Sequence, residues 1–304
     1  MTLEHIICLE KWINTLIKMI VVKVSGGLGN QLFQYAAGRA MSIRNATTLG
    51  INSDSYAGNK IDKINRRVLH LSEFKAKFRD VGKKELRNYL SIVGNKFIDD
   101  YFLLKIRWMQ KKAIYDENTE LVKNNKSKDA CLIGTFANPS YFSEIKGILQ
   151  KEIELTSVHK IKRRLEEIKK VNSVSVHVRR GDLTILKEAY LLPIDYYKAA
   201  IAAIGKKVKN PIFFIFSDDI SWCKKNFFWL KNKYFIENTN VSEDLELMKN
   251  CKNNILANST LSWWAAYLNK NKNKIVIQPS HMSSFKDEKH TNLNLDGAIK
   301  LWAK

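Results

Sequence analysis

The sequence lacks the cysteine and histidine patterns of metal sites and disulfide-stapled folds. Its four cysteines, at positions 8, 131, 223 and 251, stand far apart without a C-x-x-C pair, and its six histidines form no H-E-x-x-H motif. A chain of 304 residues can bury a sizeable core without disulfides. We therefore expect reduced, mostly buried thiols, as in cytoplasmic proteins, and neither a structural nor a catalytic metal.

Long hydrophobic runs are also missing. Residues 6–22 are fairly apolar, but Glu10, Lys11, Asn14 and Lys18 interrupt them. The stretch is too broken for a spanning helix, and no small-residue cleavage site follows it. We expect a short amphipathic extension at the N-terminus, residues 1–18, and not a signal peptide.

Acidic residues are scarce relative to basic ones. The chain has 51 Lys and Arg against 30 Asp and Glu, a formal net charge of +21, and residues 60–128 are especially basic. Such a surface attracts nucleic acid, anionic lipid or a phosphorylated substrate, unless it is only a solvated lysine-rich face. No RNP, KH, helix-turn-helix or zinc-finger pattern is present, so we expect no nucleic-acid partner. A basic nucleic-acid-binding protein stays the alternative from a different class, which strongly salt-dependent binding would support.

Proline is rare as well, and the chain alternates apolar strands with helices. The predicted strands are Ile20–Val24, Cys131–Gly134, Ser173–Val178, Ile212–Phe216, Tyr234–Ile236, Asn254–Ala257 and Lys274–Gln278. The predicted helices are Gln31–Arg44, Lys160–Lys170, Asp195–Ile204, Ser242–Cys251 and Thr260–Leu268, with weaker patterns at Lys83–Tyr89 and Phe97–Lys112. This alternation predicts parallel β-α-β units and an α/β fold.

Polar clusters follow four of these strands. They are Gly26–Gln31, His177–Asp182, Ser217–Asp219 and Asn258–Ser262. In parallel sheets, ligands bind outside the carboxyl ends of the strands. We therefore expect the four clusters to converge on one site.

The cluster His177–Asp182 reads HVRRGD and is the most informative. Arg179 and Arg180 directly follow a buried strand, where two guanidinium groups are costly unless they face an anion. The forked guanidinium suits a diphosphate. Asp182 either acts as a base or holds the two arginines in place. The alternative to a functional role for the cluster is a purely structural network of Arg and Asp side chains at the end of the strand.

The loop Gly26–Gln31 reads GGLGNQ and lets a backbone approach a ligand closely. Gly27 and Gly29 give it that freedom, and Asn30 supplies an amide for a sugar or phosphate contact. The loop fails as a dinucleotide fingerprint because the third glycine would fall on Leu32.

The cluster Asn258–Ser262 opens a helix with several hydroxyl groups. We assign Asn258, Ser259, Thr260 and Ser262 to diphosphate binding at the helix N-terminus, beyond simple N-capping by Ser259 or Thr260. The two tryptophans that follow are expected to pack in the core.

Together these segments resemble the family 11 glycosyltransferases, the α-1,2-fucosyltransferases. The resemblance rests on VSGGLGNQLFQYAAGRA, HVRRGD, FFIFSDD and DLELMKNCKNNILANSTLSWWAAYL, and spans roughly residues 20–280. It implies a GT-B architecture, with an acceptor-side lobe at residues 19–160 and a GDP-fucose-binding lobe at 161–304. It also implies inverting, metal-independent transfer from GDP-β-L-fucose to the 2-hydroxyl of a galactoside.

The resemblance further implies roles for individual residues. Arg179 corresponds to the essential diphosphate-binding arginine, and Arg180 and Asp182 complete its motif. His177 is expected beside the nucleotide, and Asn30 is expected to assist at the reacting centre. The chain departs from many members in having leucine instead of tyrosine after the motif's aspartate.

Several acidic residues have open roles. Asp182 is the simplest candidate for the base that deprotonates the acceptor, with Glu188 and Asp218 behind it. Asp218 and Asp219 either hold ribose or acceptor hydroxyls or form a turn. Asp244 either bonds the guanine edge or favours its helix dipole.

The expected acceptor is a galactose-containing oligosaccharide or a lipid-linked glycan of the O-antigen or capsule type. Such an enzyme would work in the cytoplasm, with peripheral contact at the inner face of the membrane, where the basic segment 60–128 suits an anionic surface. A GDP-fucose-dependent transferase of another linkage or acceptor is the alternative within the enzyme class.

Overall fold

The computed structural model describes residues 18–56, 68–87, 89, 113–116, 119–185, 189–282 and 293–302. Three predictions therefore lie wholly or largely outside the described residues. They are the N-terminal extension, the helical pattern at 97–112 and much of the basic segment 60–128.

The first half of the chain forms a parallel five-stranded sheet. Its strands are β1 (Met19–Lys23), β2 (Thr48–Asn52), β3 (Arg79–Asp80), β4 (Ala113–Tyr115) and β5 (Ala130–Ile133). The helices of this half are α1 (Leu28–Arg44), α2 (Lys83–Leu86), α3 (Thr119–Asn124) and α4 (Lys146–Glu152). The strand order is β3-β2-β1-β5-β4.

The second half forms a parallel six-stranded sheet. Its strands are β6 (Asn172–Val178), β7 (Pro211–Ser217), β8 (Lys233–Phe235), β9 (Asn253–Ile255), β10 (Val276–Pro279) and β11 (Ile299–Leu301). Its helices are α5 (Lys162–Lys170), α6 (Ile194–Gly205), α7 (Ile220–Asn226), α8 (Val241–Asn250) and α9 (Thr260–Leu268). The strand order is β11-β10-β9-β6-β7-β8.

Two parallel sheets flanked by helices confirm the predicted α/β fold, and the main predicted strands and helices are present within a few residues. One detail is wrong: the prediction opens α8 with Ser242, whereas Asn240 caps it. The Asn240 side chain accepts from the Glu243 backbone, and the Glu243 carboxylate accepts from the Asn240 backbone. This capping box satisfies two donors that Ser242, inside the helix, cannot reach.

Each sheet reverses its strand order once. In the first sheet, β1 lies between β2 and β5, and in the second, β6 lies between β7 and β9. A crevice opens at the carboxyl ends of the strands where the order reverses. Those ends carry the GGLGNQ loop after β1, HVRRGD after β6 and Asn258–Ser262 after β9.

One hydrophobic core joins the two sheets. A single cluster of buried residues includes β1 and α1 from the first half and α8 and α9 from the second. The Phe33 ring lies 4.8 Å from the Trp263 ring and 4.9 Å from the Trp264 ring, and both tryptophans are fully buried. This confirms that they pack in the core. The lobe boundary at residues 160/161 stays a prediction.

The described cysteines 131, 223 and 251 are free and buried. Burial raises the pKa of the Cys223 thiol to about 11 and that of Cys131 to about 12. In the described part of the chain, no helix is both long and apolar enough to cross a bilayer.

Candidate functional site

Three of the predicted clusters are neighbours at one edge of the second sheet. β6 pairs with β7 on one side and with β9 on the other, all in parallel. Arg179 follows β6, Asp218 follows β7 and Asn258 follows β9. Three of the four predicted clusters therefore lie side by side.

Asp218 holds the backbone and side chain that follow β6. One carboxylate oxygen pairs with the Arg179 guanidinium. The other accepts from the backbone N–H of Arg180 at 2.8 Å and of Gly181 at 3.0 Å. A Cβ at Gly181 would lie 2.5 Å from the carboxylate, so this position requires glycine. Asp218 thus fixes where Arg179 points.

Arg180 is held by a different set of contacts. Its Nε donates to Asp219 at 3.2 Å, and its guanidinium lies 4.2 Å from the centre of the Trp222 ring. Asp219 also caps α7 by accepting from the Trp222 backbone at 3.0 Å. These contacts fit the turn-forming role that was one of the two expected for Asp219.

His177 is the second-last residue of β6, lies opposite Phe216 of β7, and is buried. Burial lowers the pKa of His177 to about 4. The Asp218 carboxylate raises this pKa and the Arg179 charge lowers it further, both by less than burial does. The imidazole is therefore neutral near pH 7. Its Nδ1 has no hydrogen-bond partner among the described residues.

The N-termini of α1 and α9 meet across the two halves. The Thr260 hydroxyl donates to the Asn30 side chain at 3.2 Å, and the Trp264 indole donates to the Gly29 carbonyl at 3.0 Å. A Cβ at Gly29 would lie 2.7 Å from the Thr260 Cβ and 2.8 Å from the Leu261 nitrogen. Gly29 therefore serves close helix packing and brings Asn30 to the start of α9.

Gly27 has a different environment. It caps α1 with an ordinary φ of −77°, is exposed, and would place a Cβ with nothing within 4 Å. The loop beside it is fixed by Gln31, whose side chain donates to the Gly26 carbonyl at 3.2 Å and the Val68 carbonyl at 2.8 Å. Gln31 is therefore a structural support, and Gly27 is the open position of the loop.

Within the cluster after β9, the polar groups have distinct partners. Ser259 caps α9, and the Ser262 hydroxyl donates back to the Ala257 and Ser259 carbonyls inside the fold. The Asn258 amide donates to the Tyr190 carbonyl at 2.7 Å. Ser262 is buried in these contacts, so the start of α9 at Ser259 and Thr260 is the accessible part.

Asp244 lies in the first turn of α8 and accepts from the Thr239 hydroxyl at 2.6 Å. Burial raises its pKa to about 6, partly offset by that hydrogen bond and reinforced by the Glu243 charge. Both roles foreseen for Asp244 are compatible with this position.

The candidates for the base are less defined. The backbone of Asp182 lies in a short 3-10 helix, Gly181–Thr184, directly after Arg180. Glu188 lies outside the described residues. Both oxygens of Asp218 already accept from Arg179 and from backbone groups, which favours its role as a support.

Sequence reasoning missed the loop after β5, which lies beside β1 and its glycine loop. Phe136 is buried in a left-handed conformation, with φ +52°. The Asp116 carboxylate holds it by accepting from the Phe136 backbone, the Thr135 hydroxyl and the Tyr141 hydroxyl. Such strain is concentrated at functional sites. The signal was the glycine that ends the predicted strand, at position 134.

No cluster of three or more histidine, cysteine or acidic side chains suited to a metal ion occurs among the described residues. The expectation of a metal-free site stays a prediction.

Comparison with known proteins identifies the family. A family model described as glycosyl transferase family 11 matches residues 3–296. An "Alpha-1,2-colitosyltransferase" of Escherichia coli is 31% identical over 284 residues, covering 86% of this chain and 91% of that protein. The "O-antigen biosynthesis glycosyltransferase WbnK" of Escherichia coli is 30% identical over 304 residues, covering 91% of this chain and 99% of that protein.

A "Galactoside 2-alpha-L-fucosyltransferase Sec1" of Mus musculus is 26% identical over 103 residues, 31% of this chain and 28% of that protein. Among solved structures, the α-1,6-fucosyltransferase NodZ soaked with GDP-fucose is similar with a TM-score of 0.50 and 16% identity, covering 83% of this chain and 92% of that chain. This likeness supports the GT-B fold.

Proposed function

The chain belongs to glycosyl transferase family 11, and we propose that it transfers L-fucose from GDP-β-L-fucose to the 2-hydroxyl of a galactoside. The transfer is inverting, needs no metal and serves the synthesis of an O-antigen- or capsule-type glycan. The names of its relatives support this proposal, since they include an α-1,2-glycosyltransferase, an O-antigen enzyme and galactoside 2-α-L-fucosyltransferases.

The observation that carries the proposal is Arg179 held by Asp218 where the second sheet reverses its order. When GDP leaves the sugar, negative charge grows on the diphosphate. A preorganised cation at that point stabilises the transition state more than the ground state. A guanidinium has five N–H donors, so its pair with Asp218 is compatible with binding a diphosphate.

The start of α9 supplies a second source of positive electrostatic potential for the diphosphate. Its first backbone N–H groups and the positive end of its dipole attract anions. Because Thr260 contacts Asn30, the GGLGNQ loop lies beside the same helix terminus. We assign the diphosphate to Arg179 and the start of α9, with Asn30 beside the reacting carbon.

The acceptor approaches from the first half of the chain. Gly27 is open there, and the loop after β5, with exposed Thr135, lies at the neighbouring strand end. Inversion requires the acceptor oxygen to attack the face opposite the diphosphate. Asp182 is our first choice for the base, since Asp218 is engaged by Arg179.

A second donor has specific support from the colitosyltransferase relative. Colitose is L-fucose without its 3-hydroxyl, so the two donors differ by one polar group. A site that hydrogen-bonds this hydroxyl would reject the colitose donor strongly, whereas a site without a partner for it would accept both.

The test is product analysis with purified protein. We expect GDP-fucose and a β-galactoside to give GDP and an α-1,2-linked fucoside, identified by NMR of the isolated product. A 2-deoxygalactoside should give no product. Fucose on a different hydroxyl, or transfer from a colitose donor in preference to GDP-fucose, would refute the proposed linkage or donor respectively.

A further inference from the structure

Lysines gather at the amino ends of the second sheet, opposite the candidate functional site. Each strand of a parallel sheet begins at the same edge, so the loops preceding the strands lie side by side. Lysines occur in the loops before β7, β8, β9 and β10, and α5 ends on two lysines just before β6. They include Lys206, Lys207 and Lys209 before β7, Lys231 before β8, Lys252 before β9 and Lys270 before β10.

Hydrogen bonds show that these loops are contiguous. The Asn172 amide donates to the Lys209 carbonyl at 2.7 Å and accepts from the Lys252 ammonium at 3.2 Å. The Asn271 amide donates to the Lys252 carbonyl at 2.9 Å. The Phe213 backbone donates to the Asn232 carbonyl at 2.9 Å, which joins the loop before β8 to the start of β7. The loops before β6 to β10 thus form one surface, which we call the lysine edge.

The lysine edge has little negative charge of its own. The loops at 206–210, 227–232 and 270–275 contain no Asp or Glu. Lys206, Lys207, Lys209 and Lys231 are exposed and form no ion pair with any carboxylate in the described part of the chain. Lys270 of the same edge does pair with a carboxylate, Glu154, at 2.8 Å, as Lys198 and Lys224 do elsewhere.

An exposed aromatic ring lies on the same surface. Phe228 is 78% exposed in the loop before β8. The Lys233 ammonium donates to its carbonyl at 3.4 Å and to the Leu230 carbonyl at 2.6 Å, which fixes the loop at this edge. An exposed phenylalanine costs free energy in water and gains it when it enters a lipid interface.

We propose that the lysine edge docks on an anionic lipid surface, with Phe228 entering the interface. Lysines near such a surface act additively, and an inserted ring adds a component that salt does not screen. The seven residues of β6 place this edge about 23 Å from the candidate functional site. Docking therefore leaves the site open. This surface differs from the basic segment 60–128, much of which lies outside the described residues.

The test measures co-flotation of the full chain with vesicles of phosphatidylglycerol and phosphatidylethanolamine, against vesicles of phosphatidylcholine alone. We expect binding to the anionic vesicles only. Replacing Lys206, Lys207, Lys209 and Lys231 together by glutamine should weaken binding by about 100-fold or more. Phe228→Ala should lower the binding that persists at high salt.

The matched control removes the same charge from the first half. Lys83, Lys84, Arg87 and Lys126 are exposed, and replacing them together by glutamine should leave vesicle binding nearly unchanged. If this control variant loses binding while the lysine-edge variant keeps it, the proposal is wrong.

A second control separates lipid from other polyanions. Binding of a short DNA duplex through the same four lysines, without vesicle binding, would overturn the proposal in favour of a nucleic-acid surface. Far-UV circular dichroism should show both quadruple variants folded. Transfer to a soluble acceptor should be unchanged in both variants. The proposal of vesicle binding and the proposed catalytic function are therefore tested separately.

Discussion

At the residue scale, Asp218 supports the position of Arg179. Asp218 pairs with the guanidinium through one oxygen and holds two backbone N–H groups through the other. The sequence marked Asp218 as a ligand of sugar hydroxyls or as a base. It predicted that the clusters holding Arg179 and Asp218 lie close together, but not that these two residues pair.

Asp218→Asn tests this support. The amide keeps the size and one accepting oxygen but cannot pair with the guanidinium, so we expect kcat to fall roughly tenfold or more. The acceptor KM should change little, because Asp218 acts through Arg179. Steady-state kinetics with both substrates measure the two parameters.

Asp195→Asn is the matched control, because Asp195 is exposed in the first turn of α6 and pairs with Lys198. It should keep parental kinetics. An Asp218→Asn enzyme with parental kcat would show that Arg179 needs no such support.

Asp244 gives a pH-dependent prediction. Burial raises its pKa to about 6 in the folded state, so its ionised form destabilises the fold at pH 7. That cost is relieved as pH falls through 6, because the folded state takes up a proton that the unfolded state does not. Asp244→Asn should therefore raise the free energy of unfolding by about 2 kcal/mol at pH 7 and by less at pH 5.

Urea denaturation at the two pH values measures this difference, and the His177 contribution cancels because both proteins contain it. GDP binding, measured by calorimetry, distinguishes the two roles foreseen for Asp244. A carboxylate that accepts from the guanine edge predicts weaker GDP binding by Asp244→Asn. Equal stability gains at both pH values would contradict the raised pKa.

At the element scale, the approach of α1 to α9 depends on Gly29. A Cβ there would meet the Thr260 Cβ and the Leu261 backbone, neither of which can rotate away. We expect Gly29→Ala to lower the free energy of unfolding by about 1–3 kcal/mol. Transfer should also fall, because Asn30 and the start of α9 move apart.

Gly27→Ala is the matched substitution two residues away. Its Cβ would meet nothing, and its φ suits any residue. Stability should stay within about 0.5 kcal/mol of the parent, whereas transfer should fall if a substrate approaches this open position. Thermal unfolding measures the effect on stability, and initial rates measure the effect on transfer. A Gly27→Ala protein that is less stable than Gly29→Ala would contradict the assignment of Gly29 to helix packing.

The elements differ in how well sequence predicts them. β6 alternates valine with polar residues and β7 is an apolar run, and both seven-residue strands were predicted within a residue or two. β2, β3, β4 and β11 were missed. β2 is interrupted by Gly50 and β3 consists of two charged residues, so neither shows the pattern of a buried strand. The convergence of the three strand-end clusters of the second sheet was predictable because parallel topology alone aligns them.

At the scale of the whole molecule, what sequence could not supply is the pairing of distant helices. The Trp264 indole donates to the Gly29 carbonyl, 235 residues away, and Phe33 packs on the same ring. The hydrophobic pattern predicted that these residues are buried but not which ones meet. The asparagine of one half and the threonine of the other converge only through this packing.

This shared core predicts cooperative unfolding. Because one buried cluster includes elements of both sheets, neither half should unfold alone. Tryptophan fluorescence, to which the buried Trp263 and Trp264 contribute among seven tryptophans, and far-UV circular dichroism should give coincident urea transitions. Two separated transitions would show that the halves are energetically independent.

The central claim is that a protein cation, and not a metal, stabilises the departing diphosphate. Its most direct test is the rate of fucosyl transfer by the parent and by Arg179→Ala, each with EDTA and with added Mn²⁺ or Mg²⁺. We predict a parental rate unaffected by EDTA and a loss on the order of 100-fold or more in Arg179→Ala that no metal restores. Abolition of parental activity by EDTA with recovery on adding metal, or an active Arg179→Ala enzyme, would contradict the account.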